Sequence, residues 1–134
     1  GIRDRLRSRG SEMCIRDRAA TAALRRTDEE LTELRQLAQR YSERAEAGVA
    51  RTADAQFHFA IARAGHNPEL VRMAIDIDTR INAGFRHDPF SHELFDHAVA
   101  DHAAIVEAIA GQDAQAAGRL CEEHFRSTTM PPRS

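Results

Sequence analysis

What most limits the fold of this chain is its punctuation. Apolar residues recur at helical spacing, and the breaks between them carry helix-start and helix-stop residues, not hairpin turns. Thr27-Asp28-Glu29-Glu30 has the form of a capping box, with Thr27 as N-cap and Glu30 reaching back from N3. Leu31, Leu34, Leu37, Ala38 and Tyr41 follow on one face, which predicts a helix to about Ala47, ended by Gly48. A helix over roughly Ala50–Ala64 follows, with Gly65 as its C′ residue. Asn67 and Pro68 then serve as N-cap and N1 of another. That helix runs to about Phe85, with Leu70, Val71, Ala74, Ile75 and Ile81 inward. Arg86 to Ser91, with Asp88-Pro89, reads as a loop. A fifth helix covers about His92 to Ala110 and is ended by Gly111; Asp113 caps a sixth, from Ala114 to about Arg126. Ala19 to Arg26 reads as the end of a first, truncated helix. No strand pattern of any length interrupts the series. The expected fold is all-α, an antiparallel bundle of about six helices joined by short connections.

Composition supports one core and excludes several functions. The 134 residues suit a single domain. Apolar residues make up 42% but aromatics only 5%, so the core must be built mainly from Ala, Leu, Ile and Val. All 19 basic residues are Arg, and a net charge of −2 gives no overall basic footprint for nucleic acid. Two cysteines, Cys14 and Cys121, are too few for a disulfide framework. No apolar run reaches the length of a membrane span, and the start lacks the apolar stretch of a signal peptide, so a soluble cytoplasmic protein without membrane partners is expected.

The first 18 residues stand apart. They hold six Arg and no sustained apolar period. The run Met13-Cys14-Ile15-Arg16-Asp17 resembles the translation of a transposase adapter used in preparing sequencing libraries. Residues 1–18 are therefore expected to be a non-native or disordered segment, residues 19–127 the domain, and residues 128–134, with Pro131-Pro132, a flexible tail.

Chemistry concentrates on the core-facing stripes. Asp54 and His58 lie one helical turn apart on the same face, beside Phe57 and Ile61. A carboxylate and an imidazole turned toward a core need partners, and a divalent metal satisfies both. His102 falls in the stripe of Ala98, Ile105, Val106 and Ile109, and His124 in that of Ala117, Leu120 and Cys121. A single buried histidine is usually a satisfied core residue. Three of them with an aspartate, on three helices of one bundle, point to a shared metal held by Asp54, His58, His102 and His124. The simpler readings are an Asp54 favoured by its helix dipole and a His124 interacting with the end of the last helix. Cys121 reads more easily as a small core residue than as a ligand. His66 and His87 fall in connections, and His92 and His97 on another face than His102, so all four are left out. Asp101, next to His102, is expected to point away.

These residues together resemble a known family, the C-terminal effector-binding (FCD) domain of FadR-type GntR transcription regulators. Thr27-Asp28-Glu29-Glu30-Leu31 resembles the start of that domain's second helix. Asp54-x-x-Phe57-His58-x-x-Ile61-Ala62-x-Ala64-Gly65-x-Asn67-Pro68-x-Leu70 resembles its central motif. Asp101-His102-x-x-Ile105-x-x-Ala108-Ile109, then Asp113-x-x-Ala116-Ala117 and finally His124-Phe125, resemble its last two helices. The resemblance spans roughly Ala19 to Phe125. It implies that Asp54, His58, His102 and His124 bind a divalent metal (zinc, nickel or manganese on ligand type), that a small carboxylate effector is sensed and not transformed, and that the chain forms a homodimer. It also implies control of DNA binding by an N-terminal winged helix-turn-helix domain that is missing here. Arg80 is a candidate clamp for the effector carboxylate. A metal-dependent hydrolase on the same bundle is the alternative, and a metal-free module with packed histidines a third reading. The family's first helix usually places an Arg and a Glu where this chain has Cys14–Arg18.

Overall fold

The structure, a computed structural model of the chain, describes residues 9–43, 47–85 and 92–129. They form six helices: α1 (Arg9–Arg25), α2 (Asp28–Ser42), α3 (Ala47–Ala64), α4 (Pro68–Phe85), α5 (His92–Ala110) and α6 (Ala114–Thr129). No strand occurs among the described residues. The expected all-α bundle is the one observed. The expected loop with His87, residues 1–8 and the tail from residue 130 lie outside the described residues.

The local start signals work as read. The Glu30 amide donates to Thr27 Oγ1 at 3.1 Å, and the Thr27 amide donates to Glu30 Oε1 at 2.8 Å. Asn67 Oδ1 accepts from the Glu69 amide at 3.0 Å, and Asp113 Oδ1 from the Ala116 amide at 3.1 Å. These are helix-terminal donors that no intrahelical carbonyl can reach.

The stop signals behave differently. Helix α2 ends at Ser42, not near Ala47, where the Glu43 amide turns back onto the Arg40 carbonyl at 3.3 Å. Gly48 lies inside α3, where a glycine costs about 1 kcal/mol relative to alanine and helix packing overrides it. Neither Gly65 nor Gly111 adopts the left-handed conformation expected of a C′ glycine. That conformation falls one residue later, on His66 (φ 53°) and Gln112 (φ 56°). After α5 the Gln112 amide bonds to the Ile109 carbonyl and the Asp113 amide to that of Ala108, which makes Gln112 the C′ residue of a Schellman turn. Gly65 is needed for proximity instead: a Cβ there would stand 3.1 Å from Thr21 Cγ2 on α1.

Helix α1 is the departure from expectation. It extends back to Arg9, so residues 9–18, expected to be foreign or disordered, are helical, and the boundary at residue 18 cuts through a helix. Cys14, Ile15, Arg18, Ala19, Ala22 and Ala23 are all buried. The helix packs on α3, α4, α5 and most extensively on α6. Its buried face shows no apolar period because a charged residue sits on it beside small alanines. Two nitrogens of the Arg18 guanidinium meet Asp78 on α4, at 3.1 and 3.3 Å, while its Nε is buried without a hydrogen-bond partner, and the group lies over the Phe125 ring.

The inward face of α4 is carried by Ala74 and Ile77, with Leu70 partly buried. Ile75, expected inward, is 48% exposed, since the stripe at positions 70, 74 and 77 turns it outward.

The core has two parts. The larger contains Ala19 and Ala22 of α1, Leu34 and Leu37 of α2, Phe57 and Ile61 of α3, Ile105 and Ile109 of α5 and Cys121 of α6. The smaller contains Tyr41, Ala50, Ala53, Phe95 and Ala98. Along α3 the order is Ala50 and Ala53, then Asp54 and His58, then Ile61. Along α5 it is Phe95 and Ala98, then His102, then Ile105. Asp54 and His102 thus fall where the smaller cluster gives way to the larger, and His58 sits at the edge of the larger one beside Phe57.

Candidate metal centre

Three helices deliver the site. Helix α3 supplies Asp54 and His58 from adjacent turns of one face, α5 supplies His102 and α6 supplies His124. One donor atom from each of these four residues lies within 4.8 Å of the others. His58 Nε2 is 3.1 Å and His102 Nε2 3.0 Å from the same oxygen, Asp54 Oδ1. The three imidazoles form a near-equilateral group, with ring centroids 5.1 Å apart for His58–His102 and His58–His124 and 5.0 Å for His102–His124. Each histidine is at most 3% exposed, whereas the Asp54 side chain keeps 38% accessibility. The carboxylate is thus the open side of the cluster.

Aromatic side chains hold the rings. Phe57 stacks on His102 at 4.3 Å, Tyr41 tilts against its other side at 4.5 Å, and Phe125 meets His58 at 4.9 Å. These walls are apolar and leave polar atoms without partners. His58 Nδ1 and both nitrogens of His102 are buried with no hydrogen bond. His102 Nε2 nonetheless lies 3.0 Å from Asp54 Oδ1, close enough to feel the pull of the carboxylate. Orphaned polar atoms in a packed core are costly and rare. Three imidazoles and one carboxylate are a donor set for a divalent cation, so the residues present fit one.

Electrostatics prepare the set for that role. Burial pushes the Asp54 carboxyl up, but the His58 charge and the contacts from His102 and His58 outweigh it and hold the group well below the usual carboxylate range. Burial lowers His102, against the pull of Asp54 and with the repulsion of His58, which favours the neutral, metal-competent imidazole. Burial pushes the Cys121 thiol up to about 12, and Cys121 is a core residue that is not among the four whose donor atoms converge.

The other candidates fall elsewhere. Arg80 is exposed on α4 and pairs with Asp76 one turn earlier at 2.5 Å, so it is not brought to the four. His66 is half exposed and bonds Glu30 at 2.7 Å. His97 is 56% exposed, and the side chain of His92 lies outside the described residues. Asp101 was the residue missed. It was expected to face away from the set, but its Oδ2 is 2.8 Å from Nδ1 of His124, one of the four. Sequence spacing hides this contact, because the neighbour of a core-facing residue turns about 100° around the helix and meets whatever the next helix offers.

No helix among the described residues is long and apolar enough to cross a membrane. No curated protein matches the chain at a significant level. A family profile described as the FCD domain matches residues 16–127. With that match covering well over half of its length, the chain belongs to the FCD family, the C-terminal effector-binding domain of GntR-type transcription regulators.

Proposed function

We propose that this domain holds a divalent metal through Asp54, His58, His102 and His124 and uses it to bind a small organic-acid effector. The observation that carries this reading is the convergence of three buried imidazoles, two of them with unpartnered nitrogens, on one partly accessible carboxylate. A bound cation supplies positive charge and open coordination positions for a carboxylate at the one face of the cluster that solvent reaches. Zinc, nickel and manganese all suit the donor set. An Arg80 clamp on the effector would require its pair with Asp76 to open.

Effector binding then favours one arrangement of α3, α5 and α6, and in a homodimeric regulator it biases the geometry of attached DNA-binding domains. A hydrolase on the same bundle would need a general base beside the cluster. Asp101, the carboxylate adjacent to His102, is instead committed to His124 and His97.

The test is metal content of the untagged full chain, paired with melting before and after a chelator. Near-stoichiometric metal, lost in Asp54→Ala/His102→Ala, supports the sensor, and a screen of organic acids for further stabilisation follows. Absence of metal, with no stabilisation by added zinc, nickel or manganese, removes the metal-centred pocket.

A further inference from the structure

We infer that Asp101 is a positioning residue for His124, fixing the tautomer and ring orientation with which that imidazole meets a cation; this rests on the metal reading above. The three histidines are not held alike. His102 is clamped between Phe57 and Tyr41, and His58 rests on Phe125, with both of their Nδ1 atoms lacking a hydrogen-bond partner. His124 has a carboxylate at its back, with Asp101 Oδ2 2.8 Å from Nδ1.

Asp101 is well placed for the task. Its side chain is only 23% exposed and sits on α5 beside His102, so the tie joins the two helices that deliver the second and third imidazoles. On its outer side His97 Nε2 approaches the same oxygen at 3.5 Å. An ionised carboxylate accepts but cannot donate, so His124 Nδ1 carries the proton and Nε2 presents its lone pair. Such a partner orients a ligating imidazole and raises its basicity, and its loss typically weakens metal binding about 10–100-fold.

The experiment uses the untagged full chain as wild type, Asp101→Ala and Asp101→Asn. Zinc affinity is measured by competition with a chromogenic chelator, the melting of the metal-free proteins is followed in parallel, and the His124 tautomer is read by long-range proton–nitrogen NMR. Expected are a Kd for zinc weakened about 10–100-fold in Asp101→Ala and less in Asp101→Asn, with metal-free melting lowered in Asp101→Ala by the unpaired His124 nitrogen but near wild type in Asp101→Asn. The Nδ1–H tautomer should be present in wild type and depleted in Asp101→Ala. Equal zinc affinity in wild type and Asp101→Ala overturns the proposal alone, as does a lost affinity that merely tracks lost melting in both variants. A wild type that takes up no zinc, nickel or manganese overturns it together with the metal reading beneath it.

Discussion

At the starts of α2, α4 and α6 the capping side chains find their partners two or three residues away: Thr27 with Glu30, Asn67 with Glu69, Asp113 with Ala116. In the polar layer between the two apolar clusters, distances along the chain are of another order. Asp54 meets His102 from 48 positions away (102 − 54), and Asp101 meets His124 from 23. The caps are also complete as they stand, whereas the layer keeps orphaned imidazole nitrogens. The difference separates two uses of polar groups. Caps satisfy backbone donors and stabilise the fold in themselves. The layer leaves buried polar atoms unsatisfied, a cost to the fold that a cation bound there would offset.

The comparison can be broken or sharpened by experiment. The largest effect expected is that of metal itself. At a free metal concentration of about 100 times Kd, binding adds about 2.7 kcal/mol, which for a domain of this size raises melting by roughly 10 °C. Chelation should remove that gain, and a melting point indifferent to both metal and chelator would erase the distinction drawn here.

Next is His102→Leu. It removes two orphaned nitrogens from the core, so the metal-free protein should gain about 1–3 kcal/mol in a urea titration while losing its response to zinc. A clear loss of metal-free stability would show that the imidazole is already satisfied by Asp54. The caps should respond with the opposite sign. Thr27→Ala and Asp113→Ala should each cost about 1 kcal/mol and leave zinc affinity where it was.

The smallest effect is a pH dependence at the α2 cap. Burial pushes the Glu30 carboxyl up, but the Thr27 amide, the His66 bond and the Thr27 hydroxyl bring it below its usual value. A carboxyl lowered in the folded state contributes stability that is present above the unfolded pKa of about 4.3 and is lost as pH falls through the folded value. Urea titrations of wild type and Glu30→Gln should therefore differ at pH 6 and draw together in acid; a gap that widened in acid would contradict the assignment.

How much was readable in advance follows the same division. Helix starts were legible because a cap is written in four consecutive residues. Helix stops were less so: the left-handed residue fell on His66 and Gln112, which tolerate it without announcing it, while the neighbouring glycines served other ends. The four candidate ligands could be read because each lies on an apolar stripe of its own helix, so burial was implied before any helix was placed against another. Asp101 could not, since its partner is chosen by how α5 and α6 pack. The first half of α1 was hidden for a related reason: its buried face includes Arg18, whose partner, Asp78, comes from α4.

The placement of the polar layer has a further consequence for how the domain comes apart. The smaller cluster, with Tyr41, Phe95 and three alanines, is too slight to persist alone. It is joined to the larger core along α3 and α5 through the stretch that carries Asp54, His58 and His102. Tyr41 also follows Leu37 by one turn on α2, so cooperativity between the two ends of the bundle passes partly through the site, and an occupant would strengthen the tendency of the domain to unfold as one unit over opening first at the Tyr41–Phe95 end.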